Sequence, residues 1–269
     1  MKNTITLVAI TAVLIATALF SGCTEAGLGE RNAEKEEVIT EERDFADFTY
    51  LDVSAAFNVE ITRSDSFSVI ISADKSLFDL IEVSRVGDTL KIFLNPRHIF
   101  TDFTLGTKTL KAEITMPALY GLEISGASSG TISGFKSTKD FSLVVSGASS
   151  LETIDTAVGD AEVEVSGASR LSGNMTAEDA DFEVSGASSI VLSGSADDLA
   201  LVVSGASRVD LANFPVDDAD IGLSGASEAT LNVIGRLDTD LSGASRLYFY
   251  GNPTMGETSI SGASTIKHK

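Results

Sequence analysis

The sequence predicts an all-β protein: a single-stranded β-solenoid (β-helix) of about eight coils, closed at its N-terminal end by an irregular β cap. Two observations carry that prediction. Ser-Gly-Ala-Ser occurs eight times, starting at Ser125, Ser146, Ser166, Ser185, Ser204, Ser224, Ser242 and Ser261, with spacings of 18 to 21 residues. A fixed period of this length is the mark of a repeat architecture in which each unit stacks on the last. Before each motif, alternate residues are apolar or small, as in Ala161, Val163, Val165 and Leu199, Leu201, Val203, and those between are often acidic. Period two with one buried face is a β-strand; no repeat carries the 3.6 period of a helix.

Taken in chain order, residues 1–22 read as a signal peptide. Lys2 supplies the positive charge, Ile5 to Phe20 is apolar, and Ser21-Gly22 places small residues before Cys23, the only cysteine. A single cysteine excludes an intramolecular disulfide and a multi-cysteine metal site. Its setting resembles the lipobox of prokaryotic lipoproteins, which implies cleavage and lipidation at Cys23; Phe20 stands where that pattern has an aliphatic residue. The alternative is an uncleaved anchor, since the apolar run is close to the length that spans a bilayer. Both place the chain on the extracytoplasmic face of a prokaryotic envelope, with the membrane as partner through its N-terminus. Residues 23–44 follow as an acidic stalk, too poor in apolar residues to offset the entropy of ordering.

Residues 45–120 are expected to form the cap, continuous with the stack. Phe57 to Arg63 and Phe67 to Ala73 alternate as strands around Ser64-Asp65-Ser66. Leu80 to Val86 and Thr89 to Leu94 flank the hairpin turn Gly87-Asp88, and Leu110 to Met116 is a further strand. Residues 121–269 are the repeats. Each coil is read as three short strands: one before the motif, one after it, and a third beyond a glycine such as Gly134, Gly173 or Gly194. The motif glycines Gly126, Gly147, Gly167, Gly186, Gly205, Gly225, Gly243 and Gly262 suit a sharp corner. The alanine is expected to turn inward, and the serines to bond along the stack. The motif is thereby a corner and not a catalytic serine: there is no Gly-x-Ser-x-Gly elbow, and the only histidines are His98 and His268.

Two columns of charge emerge from the period. Asp140, Asp160, Asp179, Asp198 and Asp218 stand six residues before successive motif serines. Each is expected to cap its own corner by accepting a backbone N–H two residues on; a row of calcium sites is the alternative, and no other cofactor is called for. Arg170, Arg208 and Arg246 recur on alternate coils, with Glu228 between the last two, as surface pairing or as a strip for a sugar or anion. The net charge of −20 opposes nucleic acid and anionic substrates. Coils of such uniform length leave no long loops to wall an active site, so the chain is read as no enzyme. Its expected partners are an envelope protein or a glycan. Self-association is a further expectation, through the edge at Thr265-Ile266 beside Tyr248-Phe249-Tyr250 and Lys267-His268-Lys269.

The order of these parts resembles the putative auto-transporter adhesin head GIN domain family. The resemblance rests on the lipoprotein signal, the Phe57-Asn58-Val59-Glu60-Ile61-Thr62 opening, Gly87-Asp88-Thr89-Leu90, and Met116-Pro117-Ala118-Leu119 leading into the Ser-Gly-Ala-Ser coils, over residues 45 to 269. It implies a β-helical, surface-exposed protein, and brings no catalytic residues to carry over.

Overall fold

The computed structural model describes residues 37–95 and 108–269. The signal segment, Cys23 and the stalk up to residue 36 lie outside the described residues. Val38–Arg43, expected in the stalk, instead forms the first strand, β1. Ile39, half-buried, packs on the core, and Glu41 and Arg43 follow it on the same side of the strand, paired at 3.2 Å, so this part of the acidic segment does contribute an apolar contact.

The cap continues as β2 (Tyr50–Val53), β3 (Asn58–Arg63), β4 (Ser68–Asp74), the single helical turn α1 (Lys75–Phe78), β5 (Ile81–Val86), β6 (Thr89–Leu94) and β7 (Leu110–Met116). The repeats supply β8 (Gly121–Ile124), β9 (Ser129–Ser133), β10 (Phe141–Val145), β11 (Ser150–Ala157), β12 (Ala161–Val165), β13 (Arg170–Thr176), β14 (Asp179–Val184) and β15 (Ser189–Ser195). They end with β16 (Asp198–Val203), β17 (Arg208–Val216), β18 (Asp218–Leu223), β19 (Glu228–Val233), β20 (Arg236–Leu241), β21 (Arg246–Tyr250), β22 (Thr254–Ile260) and β23 (Thr265–His268). Strands before a motif stack in parallel into one sheet, and strands after it into a second. Eight corners thus bound a solenoid of about seven turns, close to the expected eight coils. At ~4.8 Å per coil those turns extend roughly 34 Å.

Each turn has two strands, not three. At two of the three glycines the expected third segment is the distal half of the strand after the motif: β13 runs through Gly173 and β15 through Gly194, both at strongly positive φ (127° and 130°). The chain bends there without leaving the sheet. At the third, β9 ends at Ser133 and a single bridge, Lys136 to Ala157, lies beyond Gly134. A Cβ on Gly173 would overlap the carbonyl of Thr153 in the coil below.

The corners differ from expectation in one respect. The alanine faces solvent, and the second serine turns inward: Ser128, Ser149, Ser169, Ser188, Ser207, Ser227 and Ser245 are all buried. Their hydroxyls make the inward turn tolerable by satisfying backbone groups that the corner would otherwise strand. The Ser149 N–H donates to Ser169 Oγ at 3.3 Å, Ser169 N–H to Ser188 Oγ at 3.3 Å, and Ser188 N–H to Ser207 Oγ at 3.3 Å. The motif glycine has φ between 68° and 79°. The N–H of the alanine after it donates to the glycine carbonyl one coil below, as from Ala187 to Gly167 at 2.8 Å.

Between the sheets lies a continuous apolar interior. Leu143, Val163, Phe182, Leu201 and Ile221 from the pre-motif strands meet Leu151, Leu171, Ile190, Val209 and Leu247 from the others, each essentially inaccessible. Such side chains contribute about 1.5–3 kcal/mol apiece. The cap belongs to the same two sheets. β2 pairs with β8 and β3 with β9, both parallel, and Ser54-Ala55-Ala56-Phe57 between β2 and β3 is a ninth corner without glycine. Ala55 and Ala56 both take positive φ (70° and 65°), as do Gly126 and Ala127 above them. Beyond this coil, β6 and β7 stack in parallel on β2 and β3; β5, β4 and β1 then close the sheets in antiparallel fashion. Leu77 and Phe78 of α1 are buried over that end. Antiparallel strands seal a solenoid because they break the in-register stack that another coil would extend.

Candidate functional site

The uniform coils leave shallow surfaces, so the candidate sites are the outer faces of the two sheets. On the pre-motif sheet, Asp179, Asp198 and Asp218 stand opposite one another in register. Their carboxylates do not cap their own corners. Asp160 Oδ1 accepts the N–H of Asp179 at 3.3 Å, and Asp179 Oδ1 that of Asp198 at 3.3 Å; Asp218 Oδ1 accepts the N–H of Arg236 at 2.7 Å. In a parallel stack the equivalent N–H of the next coil lies one strand spacing away, within easier reach than a group around the corner. The column therefore fastens coil to coil.

Register adds two further columns that the sequence reading did not assemble. Glu162, Asp181, Ala200, Asp220 and Asp238 form one, and Glu164, Glu183, Val202, Gly222 and Asp240 the other. A depression of about 360 Å³ runs between Asp160, Glu162, Asp179, Asp181 and Asp198. Arg236 also stands six residues before its motif serine, in the place of the next aspartate. Its guanidinium grips Asp238 in bidentate fashion (2.5 and 2.8 Å). That contact, helped by the N–H of Glu257 at 2.6 Å, pulls the Asp238 carboxyl down to about 2. Among the described residues, no three His, Cys, Asp or Glu side chains gather as a set of metal ligands.

Arg170, Arg208 and Arg246 share the outer face of the other sheet, in the column Ser150, Arg170, Ser189, Arg208, Glu228, Arg246, Thr265. Glu228 lies 3.4 Å from Arg208 and 3.9 Å from Arg246, while Arg170 is flanked by serines. Exposed pairs of this kind contribute at most about 1 kcal/mol. At the last coil, Met255 and Ile260 are 44 and 46 % exposed, whereas Leu237 and Leu241 beneath them are inaccessible. Lys269 Nζ lies 4.4 Å from the centre of the Tyr248 ring.

The motif serines thus occupy corners, the aspartates one edge of the acidic face and the arginines the opposite sheet, so the two charged columns do not converge on one site. A family model for the putative auto-transporter adhesin, head GIN domain, matches residues 47–253. The chain belongs to that family. Solved structures share the fold at low identity. A putative adhesin from Parabacteroides merdae superimposes with a TM-score of 0.79 at 13 % identity, covering 87 % of this chain and 97 % of that one. A putative adhesin from Parabacteroides distasonis gives 0.76 at 16 %, covering 87 and 98 %. A putative lipid binding protein from the same species gives 0.71 at 18 %, also covering 87 and 98 %. No curated protein matches the sequence. Family membership agrees with an adhesin-like protein of the cell surface, and the β-solenoid is common to these structures.

Proposed function

We infer that this is a non-enzymatic adhesin of the prokaryotic cell envelope, lipidated at Cys23 and holding its solenoid off the membrane. The observation that carries the reading is membership of an adhesin head family by a solenoid whose coils vary by so little that they wall no cleft. An enzyme needs groups converging on a reacting atom in a site that excludes water. Here the charged groups are spread along columns at the inter-coil spacing, most of them exposed. Such a surface suits many weak contacts made together, the regime in which multivalent display raises avidity.

The test uses a bacterial host that processes lipoproteins. Cells expressing the full chain are labelled with an alkyne analogue of palmitate and passed over glycoprotein-coated surfaces in a flow chamber. The reading predicts label on the wild type and none on Cys23→Ala, with retention of wild-type cells above that of host cells. Equal retention of host and wild-type cells contradicts adhesion; label on Cys23→Ala contradicts the anchor.

A further inference from the structure

We propose that the outer face of the cap carries a sugar-binding site, built on the ring of Tyr50, for a neutral or amino-sugar pyranose. The proposal rests on the adhesion reading and names the class of receptor it would engage.

Tyr50 opens β2 and stands opposite Gly121 on one side and Thr89 on the other. Its ring lies across Gly121: a Cβ on that glycine would overlap Cδ1 and come within 2.7 Å of Cε1. Glycine at this position lets the ring lie down over the neighbouring strand, and Tyr50 is nevertheless 41 % exposed. A ring held down on one face and open to solvent on the other is the platform on which the C–H face of a pyranose stacks.

Polar groups able to read sugar hydroxyls surround it. Asp52, Lys91, Glu123 and Ser142 line the same depression, whose volume of about 260 Å³ suits one sugar residue and not an extended chain. Lys91 Nζ is 2.6 Å from Asp52 Oδ2, which fixes both side chains in place before any ligand arrives. An ammonium carries three donors and a carboxylate two acceptor oxygens, so this pair keeps capacity for further hydrogen bonds. Two carboxylates against one ammonium give a negative site, and the column through Asp52 and Glu123 runs on to Glu164 and Glu183. Uronates, sialylated and sulfated sugars are repelled by that field; neutral and amino sugars are not.

The experiment is a glycan array of neutral, N-acetylated, amino, uronate and sulfated pyranosides, probed with the full-length chain in detergent micelles. Neutral or amino sugars should be retained and anionic ones not. Tyr50→Ala should weaken retention by about tenfold, the loss of one aromatic stacking contact, while Tyr50→Phe stays close to wild type. Thermal unfolding shows whether Tyr50→Ala remains folded. Should it melt early, Asp52→Asn with Glu123→Gln is read instead, leaves the ring intact, and is expected to lose the same ligands. Retention of no neutral or amino sugar, or unchanged retention by a folded Tyr50→Ala, overturns the proposal. Cells displaying Tyr50→Ala that still adhere as wild type in the flow chamber also overturn it, and leave the adhesion reading standing.

Discussion

Gly186→Ala tests the corner geometry at a single atom. Gly186 has φ 79°, which costs an alanine about 1–2 kcal/mol. The added Cβ would overlap the carbonyl oxygen of Gly167 and lie 3.1 Å from that residue's carbonyl carbon and nitrogen. Neither atom is the free end of a side chain, so one coil must move away from the other. That movement breaks the 2.8 Å bond from the Ala187 N–H to the Gly167 carbonyl, at a cost of about 1 kcal/mol. The sum is about 2–3 kcal/mol, against a total of about 5–15 kcal/mol for a folded domain. In urea followed by far-UV circular dichroism this lowers the midpoint by about 1 M. The neighbouring change Ala187→Ser is the control: Ala187 faces solvent, so its cost stays within about 0.5 kcal/mol. A loss below about 1 kcal/mol for Gly186→Ala, or a larger loss for Ala187→Ser, refutes the reasoning.

Ser188→Ala leaves the buried N–H of Ser169 without its acceptor and should destabilise by about 1–3 kcal/mol in the same urea assay, whereas Ser185→Ala, at the half-exposed first position, costs less. The Asp238 carboxyl is held at about 2 by Arg236, so its contribution is complete above the ordinary carboxylate range and is lost as pH falls through about 4 towards 2. Melting curves of Asp238→Asn should therefore lie below wild type at neutral pH and converge with it at the acid end; a constant gap contradicts this. Because the aspartates are spread in a column and Asp160, Asp179 and Asp218 are each bonded to a backbone N–H of the next coil, calcium in place of chelator should shift the melting temperature by less than about 1 °C. A rise of several degrees would make that column a metal ladder.

The stack itself is legible in the sequence because its period is carried by chemistry that recurs. Positive φ and close approach demand glycine at Gly167 or Gly186, and a narrow interior demands alternate apolar residues such as Val163 and Val165. What alternation cannot supply is direction at a corner, where period two breaks. Alternation therefore gives no warning that Ala187 faces solvent and that Ser188 is the buried residue of the corner. The corner at Ser54-Ala55-Ala56-Phe57 is hidden because two alanines accept positive φ there in place of glycine.

The cap was legible as strands but not as topology. β7 lies between β3 and β4, which pairs residues far apart in sequence, and no local pattern encodes that choice. At the acidic face the spacing that lines up the aspartates also places Arg236 in the column, a signal readable by counting back six residues from Ser242. The partners of those carboxylates were not readable, since they belong to the next coil. Tyr50 lying over Gly121 is likewise a contact across 71 residues, created by the cap folding back onto the first repeat.

The most direct test of the central claim, that this solenoid is a tethered adhesive surface, is binding of beads coated with the full chain through its N-terminus to glycoprotein-coated plates, with soluble chain as competitor. Saturable binding that the competitor abolishes is the predicted result. Binding no greater than that of uncoated beads at any coating density would contradict it.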